Sequence, residues 1–143
     1  MIILDTNVIS EPLRKAPDPR VIAWIDAQAV ETLYLTAVTV GELRYGAAVL
    51  PDGRRREVLH EQLENHLLPL FAGRILPYDL AATRRYARLM AAARATGSAI
   101  ATADGMIAAI ADAADFSIAT RDTAPFVAAG ISVVDPWEDS RHT

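Results

Sequence analysis

With 143 residues and no cysteine, the chain is the size of one domain, and neither disulfides nor thiolate metal sites are open to it. A net charge of −4, from 14 Lys and Arg against 18 Asp and Glu, excludes a protein that holds nucleic acid by bulk charge alone. The first residues lack a basic segment leading into a long apolar stretch, and no apolar run reaches membrane-spanning length, so a soluble cytoplasmic protein is expected.

In chain order, "MIIL" predicts a short buried strand ending at Asp5. "TNVISEPLRK" predicts a short helix broken near Pro12. In "DPRVIAWIDAQA", Asp18 is placed to cap a helix and Pro19 suits its first turn, with Val21, Trp24 and Ile25 on one face. "TLYLT" predicts a second strand over 32–36, and "AVTVGELRYGAAVL" a helix stopped by the turn Pro51-Asp52-Gly53. A helix over about 54–68 would line up Leu59, Leu63 and Leu67.

"RILP" predicts a third strand. "DLAATRRYARLMAAARATG" predicts a long helix capped by Asp79 and closed by Gly97. "TADGMIAAIADAAD" predicts another helix, "FSIAT" a fourth strand and "ISVV" a fifth. Strands alternating with helices predict an α/β sandwich around a mostly parallel sheet of four to five strands. Nothing divides the chain, so one domain is expected over 1–138 with a short polar tail over 139–143. Two basic groups, Arg54-Arg55-Arg56 and Arg84, Arg85 and Arg88, read equally well as solvated helix faces or as phosphate contacts.

Four acids stand in unusual places. Asp5 ends the first strand, Glu42 begins the helix after the second, Asp104 opens "DGMIAAIA", and Asp122 follows the fourth strand. Singly, each has an ordinary account. Asp5 and Asp104 could cap helices, Glu42 could favour a helix dipole, and Asp122 could cap a turn before "TAPF". Jointly, they fall where parallel strands end side by side, which is where α/β sheets bind ligands. Carboxylates converging there repel unless a divalent cation sits between them, and hard oxygen donors select Mg²⁺ or Mn²⁺. Removing these four from the 18 acids leaves 14, equal to the 14 basic residues, so the acidic excess is no larger than the proposed site.

The blocks "ILDTNVISE", "LTAVTVGELRYGA", "DGMIAAIA" and "SIATRD", ending in "ISVVDPWE", resemble the PIN-domain fold, and especially the VapC/FitB-type toxins of bacterial type II toxin–antitoxin modules. The resemblance runs from Met1 to about Glu138. It implies a three-layer α/β/α sandwich and a toxin that is an Mg²⁺- or Mn²⁺-dependent endoribonuclease. It matches Asp5, Glu42, Asp104 and Asp122 to the family's catalytic, metal-holding quartet. Thr6, Asn7 and Thr120 fall where residues support the metal site or its water, with capping an equal account of them. Arg121 either touches substrate phosphate or anchors the strand end.

Two departures from the family pattern carry expectations. Pro125 stands where many relatives have a later Asp, which leaves Asp122 as the fourth carboxylate. Gly105 replaces a larger residue, predicting a looser helix start with the ligand retained. The resemblance further implies a homodimer acting on RNA and inhibited by a small DNA-binding antitoxin whose C-terminal segment covers the acidic cleft. DNA is then met only through the antitoxin, and no membrane is involved.

Two rivals are weighed against this reading. A phosphatase of the haloacid dehalogenase type needs a second Asp where Asn7 stands and a downstream strand-end Lys, whereas Lys15 is the only lysine. A catalytically weak module acting mainly as the antitoxin's partner would resemble the toxin in sequence. His60, His66 and His142 show no ligand spacing and are expected at the surface.

Overall fold

Strand β1 (Ile2–Leu4) lies at the centre of a five-stranded, wholly parallel sheet of order β3-β2-β1-β4-β5 in the computed structural model, which describes residues 1–138. The other strands are β2 (Leu33–Thr36), β3 (Ile75–Leu76), β4 (Ser117–Ala119) and β5 (Val133–Val134). The expected polar tail over 139–143 lies outside the described residues. A central parallel strand is covered on both faces, which is why "IIL" is an unbroken apolar run. Ile3 pairs with Tyr34 on one side and Ile118 on the other, and Leu4 pairs with Ala119.

Alternation along the strands divides the core in two. Leu4, Leu33, Leu35 and Ala119 pack with Val8, Val21, Trp24, Val40, Leu43, Leu63 and Phe71. These come largely from helices α1 (Thr6–Ser10), α2 (Pro19–Asp26) and α3 (Ala37–Ala48), with Leu63 directly after α4 (Arg54–Gln62). Ile3 and Ile118 pack instead with Leu89, Ile107, Ile110 and Phe126. Those belong to α6 (Leu80–Ala95), α7 (Thr102–Ala114) and α8 (Ala124–Ala128). The result is the expected helix–sheet–helix sandwich.

Most local expectations hold. Asp18 accepts from the Arg20 amide and Asp79 from the Ala82 amide, both at 2.9 Å, at the starts of α2 and α6. Gly97 closes α6 at φ +76°, a left-handed conformation that a side chain would disfavour.

Three expectations need correction. The helix expected over 54–68 is regular only to Gln62. A wider turn spans Leu63–Leu67, with the Leu68 amide bonded to the Leu63 carbonyl, before α5 (Leu68–Leu70). This widening lies just ahead of Pro69, which has no amide hydrogen to continue the ladder. Where only a turn was expected, α8 forms, held by Phe126 buried in the second core cluster.

Gly105 does not loosen α7. It is buried against α6, where a Cβ would meet Met90 Sδ at 2.6 Å and Tyr86 Cε2 at 3.2 Å. The missing side chain is what lets the two helices approach there.

Candidate active site

Asp5 leaves β1 and becomes the N-cap of α1. It is only 5% exposed, and its two oxygens have separate duties. Oδ1 accepts from the Thr6 amide at 2.8 Å, and Oδ2 accepts from the Thr120 hydroxyl at 2.8 Å. Thr120 sits just beyond β4, beside β1 in the sheet, and is fully buried. Its oxygen also accepts from the Asp122 amide at 3.1 Å, so one hydroxyl ties Asp5 to the segment that carries Asp122.

Glu42 lies one and a half turns into α3, beyond the first turn, so the dipole does not account for its position. The Thr6 hydroxyl donates to Glu42 Oε1 at 2.7 Å. Asn7 accepts the Arg121 amide at 3.2 Å and approaches Thr120 Oγ1 at 3.4 Å, closing the gap between α1 and the β4 exit. The Arg121 guanidinium lies over the Trp137 ring, 5.0 Å from its centroid.

Asp104 does not cap α7. Ala101 is the N-cap, and Asp104 lies half-buried in the first turn. Asp122 lies ahead of α8, whose N-cap is Thr123.

Electrostatics join the four acids. Burial pushes the Asp5 carboxyl above its ordinary range, the Thr120 and Thr6 donors pull it back, and Glu42 and Asp122 push it up again. Asp104 is pushed up to about 6, first by burial and then by Asp5, Asp122 and Glu42. Each of these two therefore feels the charge of Glu42 and of Asp122, although the four come from widely separated parts of the chain.

Among the described residues, no three or more His, Asp or Glu side chains are gathered closely enough to hold a metal ion as they stand. The carboxylates stand as uncompensated like charges, which is the condition a bound cation relieves. The donors are all oxygen, the chemistry that hard divalent ions prefer.

Several residues at the site escaped sequence reasoning. Thr36 and Thr39 are fully buried beneath Glu42, with Thr36 capping α3 through the Thr39 amide at 3.1 Å. The T-x-x-T spacing ahead of Glu42 was the available signal. Glu11 is 3% exposed, a fifth acid in an unusual place. It accepts from the Asp18 amide at 2.8 Å and from Arg14 at 3.2 Å.

A groove of about 330 Å³ runs from Thr6 and Glu42 past Leu13, Leu50 and Leu59, with Arg14 and Arg55 on its walls. Of the two basic groups, Arg56 pairs with Asp52 and Arg85 with Asp112, as solvated helix faces do. His60 and His66 are exposed, as expected, and His142 lies outside the described residues.

The fold is an α/β sandwich in which Asp5 and Asp122 follow two adjacent parallel strands, β1 and β4. The chain belongs to the PIN-domain family, whose model matches residues 2–131. It is 57% identical over 138 residues to VapC ribonuclease Y4jK of Sinorhizobium fredii, covering 96% of this chain and 99% of that one. It is 53% identical over 139 residues to toxin FitB of Neisseria gonorrhoeae, covering 97% and 100%. A chain in the structure of FitAB bound to an IR36 DNA fragment matches it with a TM-score of 0.95 at 50% identity, over 100% of both chains.

Proposed function

We propose that this protein is the toxin of a type II toxin–antitoxin module and a metal-dependent endoribonuclease that hydrolyses RNA phosphodiester bonds. The observation that carries the reading is a run of hydrogen bonds: Thr120 donates to Asp5 Oδ2 and accepts the Asp122 amide, while the Thr6 amide donates to Asp5 Oδ1 and its hydroxyl to Glu42 Oε1. Relatives more than half identical along nearly their whole length are a VapC ribonuclease and a toxin, which supports both halves of the statement.

In this reading Asp5, Glu42, Asp104 and Asp122 hold Mg²⁺ or Mn²⁺. The ion, when bound, supplies a water of lowered pKa and offsets charge on the scissile phosphate. The remaining work is done by side chains. Thr120 fixes Asp5 Oδ2, Thr6 fixes Glu42 Oε1, and Asn7 holds the Arg121 backbone so that Asp122 stays beside them. Such outer partners set the orientation of the groups that touch a metal.

The partners follow from the same reading. The protein acts as a homodimer in the cytoplasm, and no helix among the described residues is long and apolar enough to cross a membrane. A small DNA-binding antitoxin covers the acidic cleft, and DNA is met through that antitoxin.

The test is cleavage of RNA by the purified, antitoxin-free protein with Mg²⁺ or Mn²⁺ and with EDTA. Cleavage that EDTA stops and Asp5→Asn reduces at least about a hundredfold supports the nuclease. Metal-stimulated cleavage that survives Asp5→Asn overturns the site. No cleavage under any metal condition leaves the alternative, a module that acts by binding its antitoxin.

A further inference from the structure

Arg121 stands between Thr120, which donates to Asp5, and Asp122, and its backbone amide donates to Asn7 Oδ1 at 3.2 Å. The backbone is therefore tied to α1 at this point. The side chain is exposed, and its guanidinium lies 5.0 Å from the centroid of the Trp137 ring. That ring is held in turn. Trp137 is 5% exposed, belongs to the core cluster of Leu4 and Val8, and donates its amide to Asp135 Oδ1 at 2.9 Å. Both ends of the contact are anchored, so the charge is presented at a set place.

Seating the guanidinium on a ring leaves its hydrogen-bond donors available. The contact draws on the positive charge and satisfies none of the five N–H groups. Among the described residues, the Arg121 side chain makes no hydrogen bond or ion pair, and only its amide has a partner. Asp18 feels the Arg121 charge, yet its carboxylate is already engaged by Arg20, at 2.8 Å on Oδ2 and 3.2 Å on Oδ1. Among the described residues only Arg74 also lies over a ring, and its donors go to the backbone carbonyls of Val30 and Leu70. A guanidinium with free N–H groups takes a phosphate by two parallel bonds. One already seated loses less rotamer freedom in doing so.

Topology says which phosphate. Trp137 follows β5, which lies across β4 from β1. Asp5 and Glu42 lie on the other side, after β1 and in the helix after β2. The guanidinium thus stands beside the four acids and not among them. An RNA strand with its scissile phosphate at the acids carries a neighbouring phosphate to each side, and one of those sides is that of Arg121.

We propose that Arg121 binds the RNA phosphate next to the scissile one, and that Trp137 is the positioning residue that seats its guanidinium for this contact. The inference rests on the nuclease reading for its substrate. It brings the segment after β5, which carries none of the four acids, into the substrate site.

The experiment uses antitoxin-free protein and a fluorescein-labelled, mixed-sequence single-stranded RNA. Affinity is read by anisotropy in EDTA over a series of salt concentrations, and kcat and KM are read with Mg²⁺. Arg121→Gln should bind about tenfold more weakly, and the slope of log affinity against log salt should fall by about 0.7, the share of one single-strand phosphate. KM should rise by a similar factor and kcat change far less, because a phosphate away from the reacting bond is bound alike before and during reaction. Trp137→Leu should lose about threefold in affinity, most of it recovered in Trp137→Phe, which keeps a ring. In the Arg121→Gln background Trp137→Leu should lose nothing further, whereas a merely structural Trp137 would give additive losses.

If Trp137→Leu folds poorly, Trp137→Met makes the same comparison. Equal affinity and salt slope in wild type and Arg121→Gln, binding by neither included, overturns the phosphate contact. A loss of kcat at unchanged KM overturns the flanking placement, and a Trp137→Leu loss that persists in full without Arg121 overturns the role of Trp137. Wild-type protein that cuts no RNA with any metal overturns the nuclease reading instead, and the titration in EDTA then decides Arg121 by itself.

Discussion

The Thr120 hydroxyl donates to Asp5 Oδ2 at 2.8 Å across 115 residues of sequence. It reaches a carboxylate that burial makes costly to ionise. Removing it in Thr120→Val leaves that oxygen without its side-chain donor, at a cost of about 1–3 kcal/mol. The expected outcome is a lower melting temperature in EDTA and metal affinity weaker by about tenfold or more, both largely recovered in Thr120→Ser. Thermal denaturation and Mn²⁺ titration of the three proteins check it.

Asp104→Asn should stabilise the metal-free protein at neutral pH. Its carboxyl is raised to about 6 in the folded chain, above the ordinary value of 3.8. A carboxyl raised by folding favours the folded state below its unfolded pKa, and that advantage is lost as pH rises through the folded one. At pH 7–8 the ionised Asp104 is therefore a burden that Asn lacks. The gain should be about 1 kcal/mol after solvent screening, some 3 °C for a chain of this size, and should fade between pH 6 and pH 4. Melting curves in EDTA across that range test the sign. RNA cleavage by the same variant should fall at least about a hundredfold.

Gly105→Val should be destabilising by about 2 kcal/mol, because its side chain has to enter space held by Met90 and Tyr86. The nearest atom is the sulfur of a flexible side chain, so the penalty should shrink in a Met90→Ala background. A double-mutant cycle by urea denaturation measures the coupling, and additive effects would show that the two positions do not compete for space.

Glu11→Ala should cost about 1–3 kcal/mol by leaving the Asp18 amide without its acceptor. Glu11→Gln keeps an acceptor oxygen and should cost less than half as much. Equal losses in the two variants, read by chemical denaturation, would mean that the charge, paired with Arg14, matters more than the acceptor.

Much of this architecture is legible before any coordinates are seen. Asp18, Asp79 and Gly97 mark helix ends because capping is local chemistry, and "IIL" reads as a central strand because both its faces are buried. What was hidden depends on distant neighbours. Phe126 makes α8 worth forming only through a pocket lined by other elements, and Glu11 looks like any surface acid until the chain at Asp18 turns back over it. The four proposed ligands lay between. Each had a competing local explanation, and the structure removes it for Glu42 and Asp104 while keeping the helix cap for Asp5.

The strand order has a bearing on how this protein is made. Asp5 is made before the other four strands, yet its amide bonds to Ala119 and its carboxylate to Thr120, more than a hundred residues later. A chain interrupted anywhere before β4 lacks Asp122, and its first strand is without one of its two neighbours. In the proposed reading, residues 5–42 carry half a site, which meets its counterpart only once β4 and Asp122 have followed. That reading makes cutting a property of the assembled sheet, and of no segment that can form on its own.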